Sequence, residues 1–218
     1  MLASDELLST FDVDEMAPEA LLFQTGYLTI TGYENLDGET FYRLGYPNRE
    51  VRASLNRSLL GRLGQEGSRQ AANSLRLYRL LEADDFAGME ELFGAFFSGI
   101  PHQWHTNNDI ADYEGNEVRE DFAYASVFYS YFAGLGLDVA VEESTSRGRL
   151  DMAVRFADRV YVFEFKVVEQ AGEGGAMAQL EDRRYADKYR SPDVGVHLVG
   201  VEFSSASRNV VAFEHAAA

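Results

Sequence analysis

The chain has 218 residues, a formal net charge of −17 and no cysteine. This excludes a disulfide scaffold, a thiolate zinc site and a general nucleic-acid coat, whose affinity comes from many basic contacts to phosphate. A hydrophobic fraction of 46% with 13% aromatics is that of a globular chain with a packed core, in one domain or two small ones.

In chain order, residues 4–9 read as a short helix, and Pro18 as part of a turn. A hairpin is expected next, with strands at 21–30 and 40–48 around the Asp37-Gly38 turn signal. Asn48 can cap a helix that Gly64 ends. Arg49, Arg52, Arg57 and Arg62 are spaced along it, which admits a winged-helix DNA binder on residues 1–64 as a third reading of function, although the helix is not dense in basic residues. Leu75, Leu77, Leu80, Leu81, Phe86, Met89, Leu92, Phe93, Phe96 and Phe97 recur at helical spacing, so residues 68–99 are expected to be helical, with the stripe as core or interface. Ile100-Pro101 stops the run. His102 and His105 lack a third metal ligand nearby and read as loop residues.

A second helix is expected over 117–135, with Glu117, Glu120 and Asp121 in its first turns, where the helix dipole favours acids. A strand at 139–143 follows it. The glycine-bearing loop after Lys166 leads to a helix over 176–189, a buried strand over 194–203 and an edge strand at NVVAFE. His197 reads as a satisfied core histidine. No stretch approaches the ~18 apolar residues of a membrane span, and the first residues lack the basic and apolar regions of a signal peptide, so a cytoplasmic protein is expected.

Residues 147–166, RGRLDMAVRFADRVYVFEFK, carry charges in an unexpected place. Strand alternation puts Val160, Val162, Glu164 and Lys166 on one face and Tyr161, Phe163 and Phe165 on the other. Both faces begin apolar, and Glu164 and Lys166 then interrupt one of them. Charges at the end of a buried strand cost several kcal/mol unless something pairs with them.

The preceding strand supplies partners. Leu150, Met152, Val154 and Phe156 alternate with Asp151, Ala153 and Arg155. With Ala157-Asp158 as the turn, or with a four-residue loop, Asp151 falls opposite Glu164 and Arg149 opposite Lys166. A three-residue loop would break that pairing. Facing residues lie about 4.5–5.5 Å apart at Cβ, so the two carboxylates repel unless a cation joins them, and hard oxygen ligands suit Mg²⁺ or Mn²⁺. The plainer reading is a solvated hairpin end with an ion pair. Lysine occurs only at 166 and 188, against seventeen arginines, which gives Lys166 added weight.

An Asp, twelve residues and then Glu-x-Lys, on helix, three strands, helix and strand, resembles the PD-(D/E)XK nuclease superfamily. With LLFQTGYLTI, YRLGYPNREVR, GRLD, VFEFK, Gln179, YADKY at 185–189 and LVGVEF, nearly the whole chain resembles the C-terminal region of bacterial AAA-ATPase-like proteins that end in such a nuclease domain. The resemblance implies an α/β fold. Its restriction-endonuclease-like core, a mixed sheet flanked by helices over 101–218, would follow a hairpin and helical subdomain over 1–100. It implies Asp151 and Glu164 as metal ligands for Mg²⁺ or Mn²⁺, Lys166 as catalytic, and support from Gln179 and one early helix acid.

Spacing to Tyr124 favours Asp121 as that acid, whereas a preference for glutamate favours Glu120. Ala125 departs from the family's usual polar residue. Arg149, Arg183, Arg184, Tyr185 and Lys188 are the expected nucleic-acid contacts, with DNA as the expected substrate. No phosphate-binding loop G-x-x-x-x-G-K-[ST] occurs, so an ATPase would be a separate module or partner, and an oligomer is compatible with this scheme. The competing expectation is a weakly metal-binding docking module for an ATPase, which the acidic charge favours.

Overall fold

The hairpin turn is where the local sequence is least suited to its conformation. In the computed structural model, which describes residues 2–3, 18–36, 39–62, 67–100, 120–145, 148–169 and 175–218, Ala157-Asp158 is a two-residue turn. Ala157 takes φ 52°, the left-handed region that a Cβ disfavours. Glycine there is expected to raise stability by up to about 1 kcal/mol, checked by urea unfolding. A loss on Ala157→Gly would mean that the alanine side chain is needed.

Around this turn the strands β5 (Gly148–Phe156) and β6 (Arg159–Val168) pair antiparallel from Phe156↔Arg159 to Met152↔Phe163, the expected register. β4 (Asp138–Thr145) flanks β5 antiparallel, β7 (Gly195–Ser204) runs parallel to β6, and β8 (Asn209–Ala217) closes the other edge antiparallel. The sheet order is β4-β5-β6-β7-β8. The expected buried strand at 194–203 and edge strand at NVVAFE correspond to β7 and β8.

One face of this sheet is covered by α3 (Gly67–Ala83), α4 (Phe86–Ser98) and α5 (Glu120–Gly134). The leucine and phenylalanine stripe lies there against Tyr161, Phe163, Phe165, Val199, Val201 and Phe203. The stripe is core. It is not one helix, however: Asp84 turns to φ 50° and the Asp85 carboxylate caps α4 by accepting from the Gly88 N–H at 2.9 Å. Two consecutive aspartates, a residue type favoured at helix N-caps, are the signal for that break.

The opposite face is covered by α6 (Ala176–Arg183) and a 3₁₀ turn, Tyr185–Lys188. The helix expected to run to 189 breaks at Arg184, which is left-handed at φ 49°. Leu150, expected on the Met152 face, packs instead with Leu180, Tyr185 and Tyr189. The β5–β6 ladder ends at Met152, and beyond it β5 is no longer bound to the pleat of β6.

The chain divides into two compact units, 1–56 and 57–218, the division falling inside α2 (Arg49–Arg62). The boundary expected at residue 100 thus runs through the second unit, because α3 and α4 share the core of the five-stranded sheet. The first unit carries a sheet of order β1-β3-β2, with β1 at Leu2–Ala3, β2 at Thr29–Leu36 and β3 at Glu39–Gly45.

Residues 21–30 are not one strand. Pro18–Gln24 form helix α1, led by a proline whose fixed φ suits a first helical position, and Gly26 at φ 82° ends it before β2 begins. Asn48 caps α2 as expected, its Oδ1 accepting from the Val51 N–H at 2.8 Å. The expectations for residues 4–9, the Asp37-Gly38 turn, Pro101, His102, His105 and Glu117 lie outside the described residues. Among the described residues no helix is long and apolar enough to cross a membrane.

Candidate metal centre

The centre forms where β5 and β6 part. The Phe165 N–H, next in line after the final ladder pair, donates at 2.8 Å to Oδ2 of Asp151 instead of to a backbone carbonyl. Asp151 is thereby fixed by the backbone of the strand that carries Glu164. Glu164 itself is 1% exposed. Its Oε1 accepts from the Gln179 amide and lies 3.1 Å from Lys166 Nζ, while its buried Oε2 has no hydrogen-bond partner among the described residues.

These surroundings act on the carboxyl in opposite directions. Burial, and next the charge of Asp151, push the Glu164 pKa up to about 7 against the pull of Lys166 and Gln179. A carboxylate held by one oxygen, with the other turned unpaired into a buried space beside a second acid, has the donor set of a hard divalent cation. The two acids fit such an ion. Among the described residues no third His, Asp or Glu joins them. Glu120 and Asp121 lie in the first turn of α5, and their side chains are outside the described set.

Gln179 reaches Glu164 because α6 comes unusually close to the sheet. Gly200 of β7 is the ladder partner of Glu164, and a Cβ on it would meet the Met177 backbone nitrogen at 2.6 Å. Gly200 is a residue the sequence reading missed, since a lone glycine in an apolar strand is the only signal it leaves. Gly200→Ala must displace α6 and draw Gln179 from Glu164. We expect a loss of about 1–3 kcal/mol in urea unfolding. Unchanged unfolding would mean that α6 yields freely.

Of the expected nucleic-acid contacts, Arg149 and Arg183 are exposed near one another: a Cβ on Gly148, the neighbour of Arg149, would lie 3.8 Å from Arg183 Nη1. Arg184 is paired with Asp187 at 3.0 Å, and Lys188 with Glu143 at 2.8 Å. Tyr185 is buried, its hydroxyl donating to the Arg149 carbonyl at 3.0 Å, so it braces the hairpin. His197 is partly buried, stacked on Tyr161, and lies 3.7 Å from Asp84 Oδ1. It sits at the far end of the strands, away from the acids.

A model of the PD-(D/E)XK nuclease superfamily matches residues 119–213. That stretch holds Asp151, Glu164, Lys166 and Gln179. Residues 119–213 are a PD-(D/E)XK nuclease superfamily domain. The order α5-β4-β5-β6-α6-β7 gives this PD-(D/E)XK domain the expected α-β-β-β-α-β core. The chain is also 53% identical over 213 residues to an "Uncharacterized protein in vnfD 5'region" of Azotobacter chroococcum mcd 1, a match covering 98% of this chain and 40% of that protein. The chain thus spans about 40% of the length of this relative. No solved structure matches it.

Proposed function

We propose that the PD-(D/E)XK domain hydrolyses nucleic-acid phosphodiesters, with DNA as substrate, using Mg²⁺ or Mn²⁺ held by Asp151 and Glu164. The observation that carries this reading is the unpartnered Oε2 of a buried Glu164 next to the fastened Asp151, with Lys166 at hand. Glu120 or Asp121 would add a carboxylate from α5. A divalent ion bound there supplies charge neutralisation at the phosphate and a more acidic water.

The chain's own groups do the rest. Lys166 Nζ places a positive charge where negative charge grows on the phosphate and can orient the attacking water. Gln179 holds Glu164 by one oxygen and so leaves the other for the metal. Arg149 and Arg183 contact the phosphate backbone, which positions the strand without reading its sequence. The domain would act in the cytoplasm together with an ATPase module, joined to it or as a partner.

The test is Mn²⁺ titration by calorimetry on wild type and Asp151→Ala, with plasmid cleavage at low salt, where the local basic contacts to phosphate are strongest. Uptake and cleavage by wild type alone support the reading. Mn²⁺ uptake that survives Asp151→Ala would overturn the site. The net charge of −17 favours a second reading, a docking module that works by protein contacts. Absence of cleavage with every metal, with or without an ATPase partner, would sink the nuclease and leave that second reading.

A further inference from the structure

Asp151 lies one residue beyond the last β5–β6 ladder pair, on a part of the β4–β5 hairpin past the end of that backbone ladder. The turn after α6 grips that part from the side. The Tyr185 hydroxyl donates to the Arg149 carbonyl at 3.0 Å, and Leu150 packs against Tyr185, Ala186 and Tyr189. The Tyr189 hydroxyl donates to Glu143 Oε2, and Lys188 Nζ stands 2.8 Å from Glu143 Oε1. Glu143 and Leu150 are cross-strand partners, so both strands of the hairpin are held at one level, next to Asp151.

We propose that Tyr185, Lys188, Tyr189 and Glu143 form a clamp of positioning residues that aims Asp151 at Glu164. On this account Lys188 is spent on the protein and is not a phosphate contact. The clamp rests on the reading of Asp151 as a metal ligand, but its first consequence is visible without metal. The Phe165 N–H is satisfied by the Asp151 carboxylate, so its exchange with solvent reports where Asp151 is.

Two variants, Glu143→Ala and Lys188→Met, are compared with wild type and with Glu91→Ala, which removes an exposed ion pair to Arg76 between α3 and α4. Hydrogen exchange of the Phe165 amide is followed in metal-free protein, Mn²⁺ affinity by calorimetry, and DNA affinity in Ca²⁺ by fluorescence anisotropy. The clamp predicts faster Phe165 exchange and about tenfold weaker Mn²⁺ binding in both variants, with the double variant no worse than either. Glu91→Ala should change neither.

Unchanged exchange at Phe165 in Glu143→Ala would overturn the clamp. So would tighter DNA binding by Glu143→Ala with unaltered Mn²⁺ affinity, since that is what a Lys188 freed to meet phosphate would do. A wild type that takes up no Mn²⁺ would overturn the functional reading, leaving the clamp to be decided by the Phe165 amide alone.

Discussion

Glu164→Gln is expected to abolish Mn²⁺ uptake and, at the same time, to make the metal-free protein more stable than wild type above pH 7. Glutamine keeps the shape of the side chain and an oxygen for Gln179 and Lys166, and it removes the charge. In wild type the Glu164 carboxyl is raised from 4.5 to about 7, by burial first and then by Asp151. An acid with a raised folded pKa favours the folded state while protonated. Its contribution is complete below pH 4.5 and is lost as the pH rises through about 7.

The gap corresponds to about 3 kcal/mol. Urea unfolding from pH 4.5 to 8 should therefore show wild type losing about that much relative to Glu164→Gln. Added Mn²⁺ at pH 8 should restore wild type and leave the variant unmoved, because only the protein that binds the ion gains from it. Parallel stability curves for the two proteins would show that Glu164 is not desolvated in this way.

Lys166 carries the second large effect. Its ammonium lies 3.1 Å from Glu164 Oε1, on a strand fixed between two others. In the nuclease reading a compact charge on a flexible stem must reach the phosphate, and arginine, with a planar and bulkier head, does not substitute. Lys166→Arg and Lys166→Ala should each lower cleavage by at least about 100-fold while Mn²⁺ affinity stays within a few-fold of wild type. Full cleavage by Lys166→Arg would reduce the lysine to an ion-pair partner of Glu164. Loss of Mn²⁺ binding together with cleavage would instead make its role structural.

The pair of acids was legible in the sequence because a strand has a period of two, and a hairpin turn of two or four residues leaves only one register. Asp151 and Glu164 follow from that register, as does the alternation of Tyr161, Phe163 and Phe165 against the helices. The bond from Gln179 to Glu164 could not be derived in the same way. It depends on the distance between α6 and the sheet, which Gly200 sets from another strand.

Tyr185 and Lys188 looked like ligand contacts because tyrosine and lysine near a presumed site suit nucleic acid. In the fold Tyr185 is buried against the hairpin and the exposed Lys188 pairs with Glu143, both on the turn that follows the left-handed Arg184 at the end of α6. Leu150 shows the same limit: alternation assigned it to the Met152 face, whereas past the end of the β5–β6 ladder it packs with Leu180, Tyr185 and Tyr189. Residues 21–24 read as strand because an apolar LLF has no period long enough to separate helix from strand.

Phe165 has one further consequence. Its ring belongs to the aromatic core, whereas its amide holds Asp151. Every amino acid except proline brings the same N–H, so drift in the core at this position leaves the anchor of the acid in place. A catalogue of substitutions would score position 165 by its ring alone and would record its service to the centre only at Phe165→Pro, where the donor itself is deleted.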